Sequence, residues 1–282
     1  MKEILRRAIE VLQNQKIESP FLVAELLICH VLLCVRNDLH RIKERKLNEE
    51  EVELFNSMIN RAANHEPVQY IIGETEFMGL TFYVDRRVLI PRPETEVLVE
   101  KVIEVSKSLT GPIKILDIGT GSGNIAISIA KILPQATVDA IDLCEDPLTV
   151  ARKNIERNQV QSQVKAFIHD INNDPNLLFP PYEIIVSNPP YVSVKEGREL
   201  PRNVIEYEPH AALFDYGDGL SFYRRIAAIS PMLLKKDGLV ALEMSYDQSV
   251  SIQEIFKNAG FVNLTITKDY SGIERVLTGQ LA

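Results

Sequence analysis

The chain has 282 residues, enough for a catalytic core and a smaller domain. Its 45% hydrophobic and 25% charged content fits a globular protein, and a net charge of −8 excludes nucleic-acid coating through global basicity. The N-terminus mixes both charge signs without an apolar secretion signal, and the most apolar window, Phe21 to Val35, holds Glu25 and His30 and is too short to span a bilayer. That window is expected to be a buried helix. Cys29, Cys34 and Cys144 lack CxxC spacing and are expected to be reduced core residues of a cytoplasmic protein. Five scattered histidines point to no metal.

Residues 1–75 read as a small all-α domain, either a structural appendage or a partner-docking module. Ser19-Pro20 is a cap and first-turn proline before one helix. Asn48 followed by three glutamates starts another, with Leu54, Met58, Ile59 and Ala62 expected on one face. Residues 76–89 switch period, and Phe77, Leu80, Phe82, Val84 and Val88 around Gly79 predict a β-hairpin linker. Pro93 then suits the first turn of a helix reaching about Ser108.

From 90 to 282 strands and helices alternate, with strands expected near 113–118, 137–142, 164–168, 182–187, 238–243, 261–267 and 273–278. Only Lys268 to Gly272 separate the last two, too few residues for a helical crossover, so this pair is expected to be an antiparallel hairpin at the sheet edge. An α/β, Rossmann-like seven-stranded sheet with an antiparallel last strand is the arrangement of class I S-adenosylmethionine (SAM) methyltransferases.

The strand ending at Asp117-Ile118 runs into Gly119-Thr120-Gly121-Ser122-Gly123, a turn whose glycines allow a ligand close to the backbone. Dinucleotide enzymes use a related turn, but Asn124 stands where their later glycine is expected, and Asp117 suits an ammonium better than a pyrophosphate. Asp142, about 25 residues on, suits a ribose diol. Asp170 suits an adenine amino group, with Ile171 against the ring. Each acid alone reads first as a surface cap or turn residue. Three acids at successive strand ends beside one glycine loop describe SAM.

Asn188-Pro189-Pro190-Tyr191 follows an apolar strand. The residue before a proline is pushed to extended geometry, and neither proline has an N–H, so the loop presents carbonyl acceptors beside the Asn188 side-chain oxygen. Such a site fits a flat NH2 group, with Tyr191 as an aromatic face. A merely stiffened loop is the plainer alternative.

These blocks, with Glu66 to Gly73, Val88 to Glu96, Tyr207-Glu208-Pro209 and Asp218-Gly219-Leu220, resemble the HemK/PrmC-type protein-(glutamine-N5) methyltransferases. The resemblance implies methyl transfer from SAM to the Gly-Gly-Gln glutamine of peptide-chain release factors. It implies cofactor contacts from Gly119 to Gly123, Asp142, Asp170, Ile171 and Asn188, joining Asp117 read above, and a glutamine held by Asn188, Pro189, Pro190 and Tyr191. Asn188, Pro189 and Tyr191 would carry the catalysis. Two blocks depart from the family pattern, Glu243-Met244-Ser245 and Ser271 to Glu274, and both are expected to lie away from the chemistry. An N6-adenine methyltransferase acting on DNA or RNA is the rival enzyme, disfavoured by the acidic charge and the absence of Trp. A SAM sensor without turnover is the rival from another class. Residues 192–222 read as a substrate-facing flap or a solvated loop, with Glu206, Glu208 and Asp215 exposed. Direct nucleic-acid or membrane contact is not expected.

Overall fold

A computed structural model describes all residues except 43, 174, 176 and 177, with the backbone alone at 198 and 199. The chain divides into two compact units, Met1–Glu74 with Pro201–Tyr207, and Thr75–Leu200 with Glu208–Ala282.

The first unit contains α1 (Lys2–Asn14), α2 (Pro20–Leu32), α3 (Glu49–Ala63) and α4 (Val68–Ile72). Asn48 and Glu51 close a capping box at the start of α3, each side chain accepting from the other's backbone N–H at 2.8 and 3.0 Å. Helix α2 is apolar nearly all round, yet its fully enclosed face is Ala24, Leu27, Ile28 and Cys29, of which the first three join the core with Leu12, Phe55 and Met58. Phe21 is 60% and Leu33 92% exposed, so the expectation of a buried helix holds for one face only. Its neighbours α1, α3 and α4 leave part of the helix circumference uncovered. On α3 the core takes Phe55 in place of Leu54, which lies one residue, and hence about 100°, further round. Pro20 opens α2, but Ser19 has left-handed backbone and its side chain caps nothing.

The second unit begins with a hairpin of β1 (Glu74–Phe77) and β2 (Leu80–Tyr83), turned through Met78 and Gly79 at φ 51° and 70°. Next come α5 (Pro93–Ser106), β3 (Ile113–Ile118), α6 (Asn124–Ile132), β4 (Ala136–Asp142), α7 (Glu145–Arg157), β5 (Val164–Ile168) and β6 (Tyr182–Ser187). Helix α8 (Arg202–Tyr207) is counted with the first unit, where the Tyr207 hydroxyl donates to the Asn64 carbonyl at 2.8 Å. The chain continues through α9 (His210–Leu213), α10 (Ser221–Leu233), β7 (Leu234–Glu243), α11 (Ser249–Asn258), β8 (Phe261–Lys268) and β9 (Glu274–Leu281).

Strands β3 to β9 form one sheet in the order β5-β4-β3-β6-β7-β9-β8. The first five are parallel, and β9 runs antiparallel to both β7 and β8. This is the class I methyltransferase sheet. Period-2 alternation puts Ile113 and Ile115 in the core under α5 and α6, and Leu116 and Ile118 in the core under α10 and α11. Parallel pairing brings the carboxyl ends of β4, β3, β6 and β7 to one edge, where crossover loops gather ligand-binding groups. Cys144 stands exposed just before α7, contrary to the core position expected for it, while Cys29 is buried. Among the described residues no helix is long and apolar enough to cross a membrane.

Candidate active site

Asp117 sits near the end of β3, fully buried. Its Oδ2 accepts from the Thr120 hydroxyl at 2.7 Å, and its Oδ1 has no hydrogen-bond partner. Burial pushes the carboxyl up to about 7, the Thr120 bond works against that shift, and nearby Asp142 adds to it. A buried carboxylate oxygen without a donor is a strong position for a ligand ammonium. Beyond it, Gly119 and Gly121 take φ 73° and 55°, and a Cβ on either would point into open space, so bare backbone faces the cavity side of the turn. Asp142 Oδ2 accepts from the Gly121 N–H at 2.9 Å and Oδ1 from the Leu143 N–H at 2.8 Å. Each oxygen keeps a lone pair for a diol. Burial also raises the Asp142 pKa, against the two backbone bonds.

Thr120, Ser122 and Gly123 complete the turn. Ser122 donates to Asn124 Oδ1 at 3.2 Å, and Gly123 leads into α6. Asp170 lies one strand further out, two residues beyond β5, and its Oδ1 is engaged by the Asn172 backbone and side-chain amides. The His169 N–H donates to the Asp142 carbonyl, which keeps that loop beside β4. Ile171 is only 7% exposed and packs into the second core, so little of its side chain is left to face a ring.

Asn188 follows β6 beside the glycine turn, because Ser187 pairs with Ile118 and donates to its carbonyl at 2.7 Å. The Asn188 Nδ2 donates to Thr95 Oγ1 at 3.2 Å, leaving Oδ1 as the acceptor for an incoming group. Pro189 is buried, and Pro190 half-buried. Tyr191 packs against the second core, and burial raises its hydroxyl pKa.

The chain belongs to a family that relatives identify at full length. It is 37% identical over 281 residues to the release factor glutamine methyltransferase of Fusobacterium nucleatum, covering 99% of this chain and 78% of that one. The release factor glutamine methyltransferase of Chlorobaculum tepidum is likewise 37% identical, with 98% and 95% covered. This is a release factor glutamine methyltransferase family chain. The PrmC N-terminal domain matches residues 3–73 and the methyltransferase small domain residues 94–215. The hMettl16 catalytic domain, solved in complex with MAT2A 3'UTR hairpin 1, superposes with a TM-score of 0.59 over 83% of this chain and 82% of that one. At 17% identity that likeness speaks for the fold alone.

The family blocks cohere in the structure through contacts that sequence reasoning missed. Glu208 is not exposed: its side chain is 1% accessible, its Oε1 accepts from Arg92 at 2.5 Å and its Oε2 from the Ile90 N–H at 3.2 Å. Asp215 is also buried, its Oδ2 accepting from the Gly219 N–H and the Ser221 hydroxyl at 2.8 Å each. Glu206 is exposed as expected. Residues 192–222 therefore are not a plain solvated loop. Gln248 donates to the carbonyls of Tyr191 and Gly219, both at 3.2 Å, and a Cβ on Gly219 would lie 2.7 Å from that amide and 2.8 Å from the Tyr191 oxygen. Only glycine fits there. Asn154 accepts from the Tyr83 N–H and donates to the carbonyls of Tyr83 and Ser122, fastening the hairpin and the glycine turn.

Glu243 is the largest correction. Expected away from the chemistry, it ends β7 beside Asn188, because Leu242 pairs with Ser187. Burial pushes its carboxyl up to about 7, opposed by hydrogen-bond donors on Thr95 and Asn188. An acid at a strand's carboxyl end was the signal used for Asp117 and Asp142, and it applied equally here.

Proposed function

We propose that this chain transfers the methyl group of SAM to the side-chain amide nitrogen of the glutamine in the Gly-Gly-Gln segment of peptide-chain release factors. The observation that carries this reading is the Asn188 amide, turned nitrogen-inward onto Thr95 so that its oxygen is free to accept. Full-length relatedness to release factor glutamine methyltransferases supports the choice of substrate. A reaction on release factors belongs to the cytoplasm, where translation terminates.

The residues of the glycine turn fit SAM. Asp117 Oδ1 would take the ammonium, Asp142 the ribose diol, the bare backbone from Gly119 to Gly123 the carboxylate end, and Asp170 the adenine amino group, with Ile171 lending only the edge of its side chain. Bound SAM supplies an electrophilic methyl group on a sulfonium.

An amide nitrogen is a poor nucleophile because its lone pair is delocalised into the carbonyl. Asn188 Oδ1 and the Pro189 carbonyl accept its two hydrogens, orient the nitrogen and raise its electron density, so positioning supplies much of the acceleration. Pro190 stiffens the loop, and Tyr191 shields the amide from water. Methylation makes the nitrogen acidic, and its proton leaves without a strong base.

The test is labelled methyl transfer to an unmethylated release factor, followed by mass mapping. Label on the Gly-Gly-Gln glutamine is expected, and Asn188→Ala should lower turnover about 100-fold while SAM still binds. Label on nucleic acid in place of the protein would favour the adenine reading.

A further inference from the structure

Thr95 stands in the first turn of α5 and Glu243 at the end of β7, so two elements far apart in sequence meet behind the Asn188 amide. In accepting the Asn188 Nδ2 proton at 3.2 Å, the Thr95 oxygen keeps its own proton for another partner. Glu243 is 2% exposed, and its Oε2 has no hydrogen-bond partner. The donors beside that carboxyl are the Thr95 hydroxyl and the Asn188 amide, and both favour its charged form. Arg275 and Glu94 also act on it electrostatically, but Arg275 is itself bonded to Asp269 at 3.0 Å.

The amide N–H thus points at the Thr95 hydroxyl oxygen, and the buried Glu243 carboxylate stands beside both groups. Rotating the amide by half a turn would take its N–H away from the Thr95 oxygen and turn Asn188 Oδ1 toward the buried Glu243 carboxylate, acceptor facing acceptor. A buried oxygen so mismatched is disfavoured. The productive orientation is therefore held from behind.

We propose that Thr95 and Glu243 are positioning residues that fix the Asn188 amide with its oxygen toward the substrate. The inference rests on Asn188 accepting from the substrate amide. Without the two residues, the Asn188 side chain would sample a second orientation that presents NH2 to an NH2. Turnover would fall while cofactor affinity stayed.

The experiment compares the full-length protein with Thr95→Val, Thr95→Ser and Glu243→Gln at alkaline pH, where the carboxyl is charged. For Thr95→Val, kcat on a release factor should fall about tenfold or more, with the Kd for SAM and the thermal midpoint nearly unchanged, since about 1.4 kcal/mol of orientation is lost. Thr95→Ser keeps the hydroxyl and should recover most of the turnover. Glu243→Gln, which puts a second NH2 behind the amide, should resemble Thr95→Val. The independent readout is side-chain amide NMR, with the Asn188 resonance assigned from its loss in Asn188→Asp. One Asn188 Nδ2 proton should exchange slowly in the parent protein and fast in Thr95→Val. Equal impairment of the Ser and Val variants, or an Asn188 amide unchanged by Thr95→Val, would overturn the proposal. If the parent protein labels no release factor, the substrate reading fails, and the NMR comparison still decides the orientation.

Discussion

Asp117→Asn should make the cofactor-free protein less sensitive to alkali while weakening cofactor binding. Asp117 is fully buried, and its carboxyl titrates near 7 in the folded chain, whereas an unfolded aspartate titrates near about 3.9. The folded state thus holds a proton that the unfolded state has lost, and folding stability falls as pH rises between the two values. The contribution is fully present below the unfolded value and is lost by the time pH has passed through 7. Three pKa units correspond to about 4 kcal/mol, of which about 2–3 kcal/mol falls between pH 5 and pH 8. Glu243 has the same sign, but it is present in both proteins and cancels in the comparison. Urea unfolding at those two pH values, for the parent and Asp117→Asn, measures the difference. The variant should lose less stability between them by about 2–3 kcal/mol. Calorimetry at pH 8 should show SAM binding about 10- to 100-fold weaker, the worth of a charge-assisted bond. An equal pH dependence in the two proteins would refute the reasoning, because Asp117 would then not be held protonated by burial.

Arg92→Ala leaves the Glu208 carboxylate buried with only a backbone N–H, and should cost about 2–4 kcal/mol in urea unfolding. Adding Glu208→Gln should recover part of that loss, and a double variant worse than the sum of the singles would show that the pair is not the source. Gln248→Ala removes the tie between the Tyr191 and Gly219 carbonyls, so kcat/KM for the release factor should drop about tenfold, with SAM affinity unchanged in the same titration.

The fold was legible wherever local patterns and global topology agreed. Alternation along 113–118 and 182–187, and the short link at 268–272, are enough to place the strands and reverse the last pair. The start of β7 was not legible, because Lys235-Lys236-Asp237-Gly238 reads as a loop. The structure shows that the pairing is irregular there, Tyr182 meeting Leu234 and Ile184 meeting Leu239. Helix α2 misled for the opposite reason: apolar composition signals burial but not which face finds a neighbour. In the candidate site, the groups proposed to face a ligand were legible because motif spacing places them on strand ends. The groups behind them, Thr95, Asn154, Glu208, Gln248 and Glu243, act through tertiary pairing, and nothing local to each residue announces its partner.

Asn154 also has a mechanical role. One carboxamide on α7 holds both edges of Tyr83 and the Ser122 carbonyl, so the hairpin and the glycine turn share a single fastener. A ligand that orders the turn should therefore also slow amide exchange at the Tyr83 N–H, and a loosened hairpin should raise the entropic cost of ordering the turn.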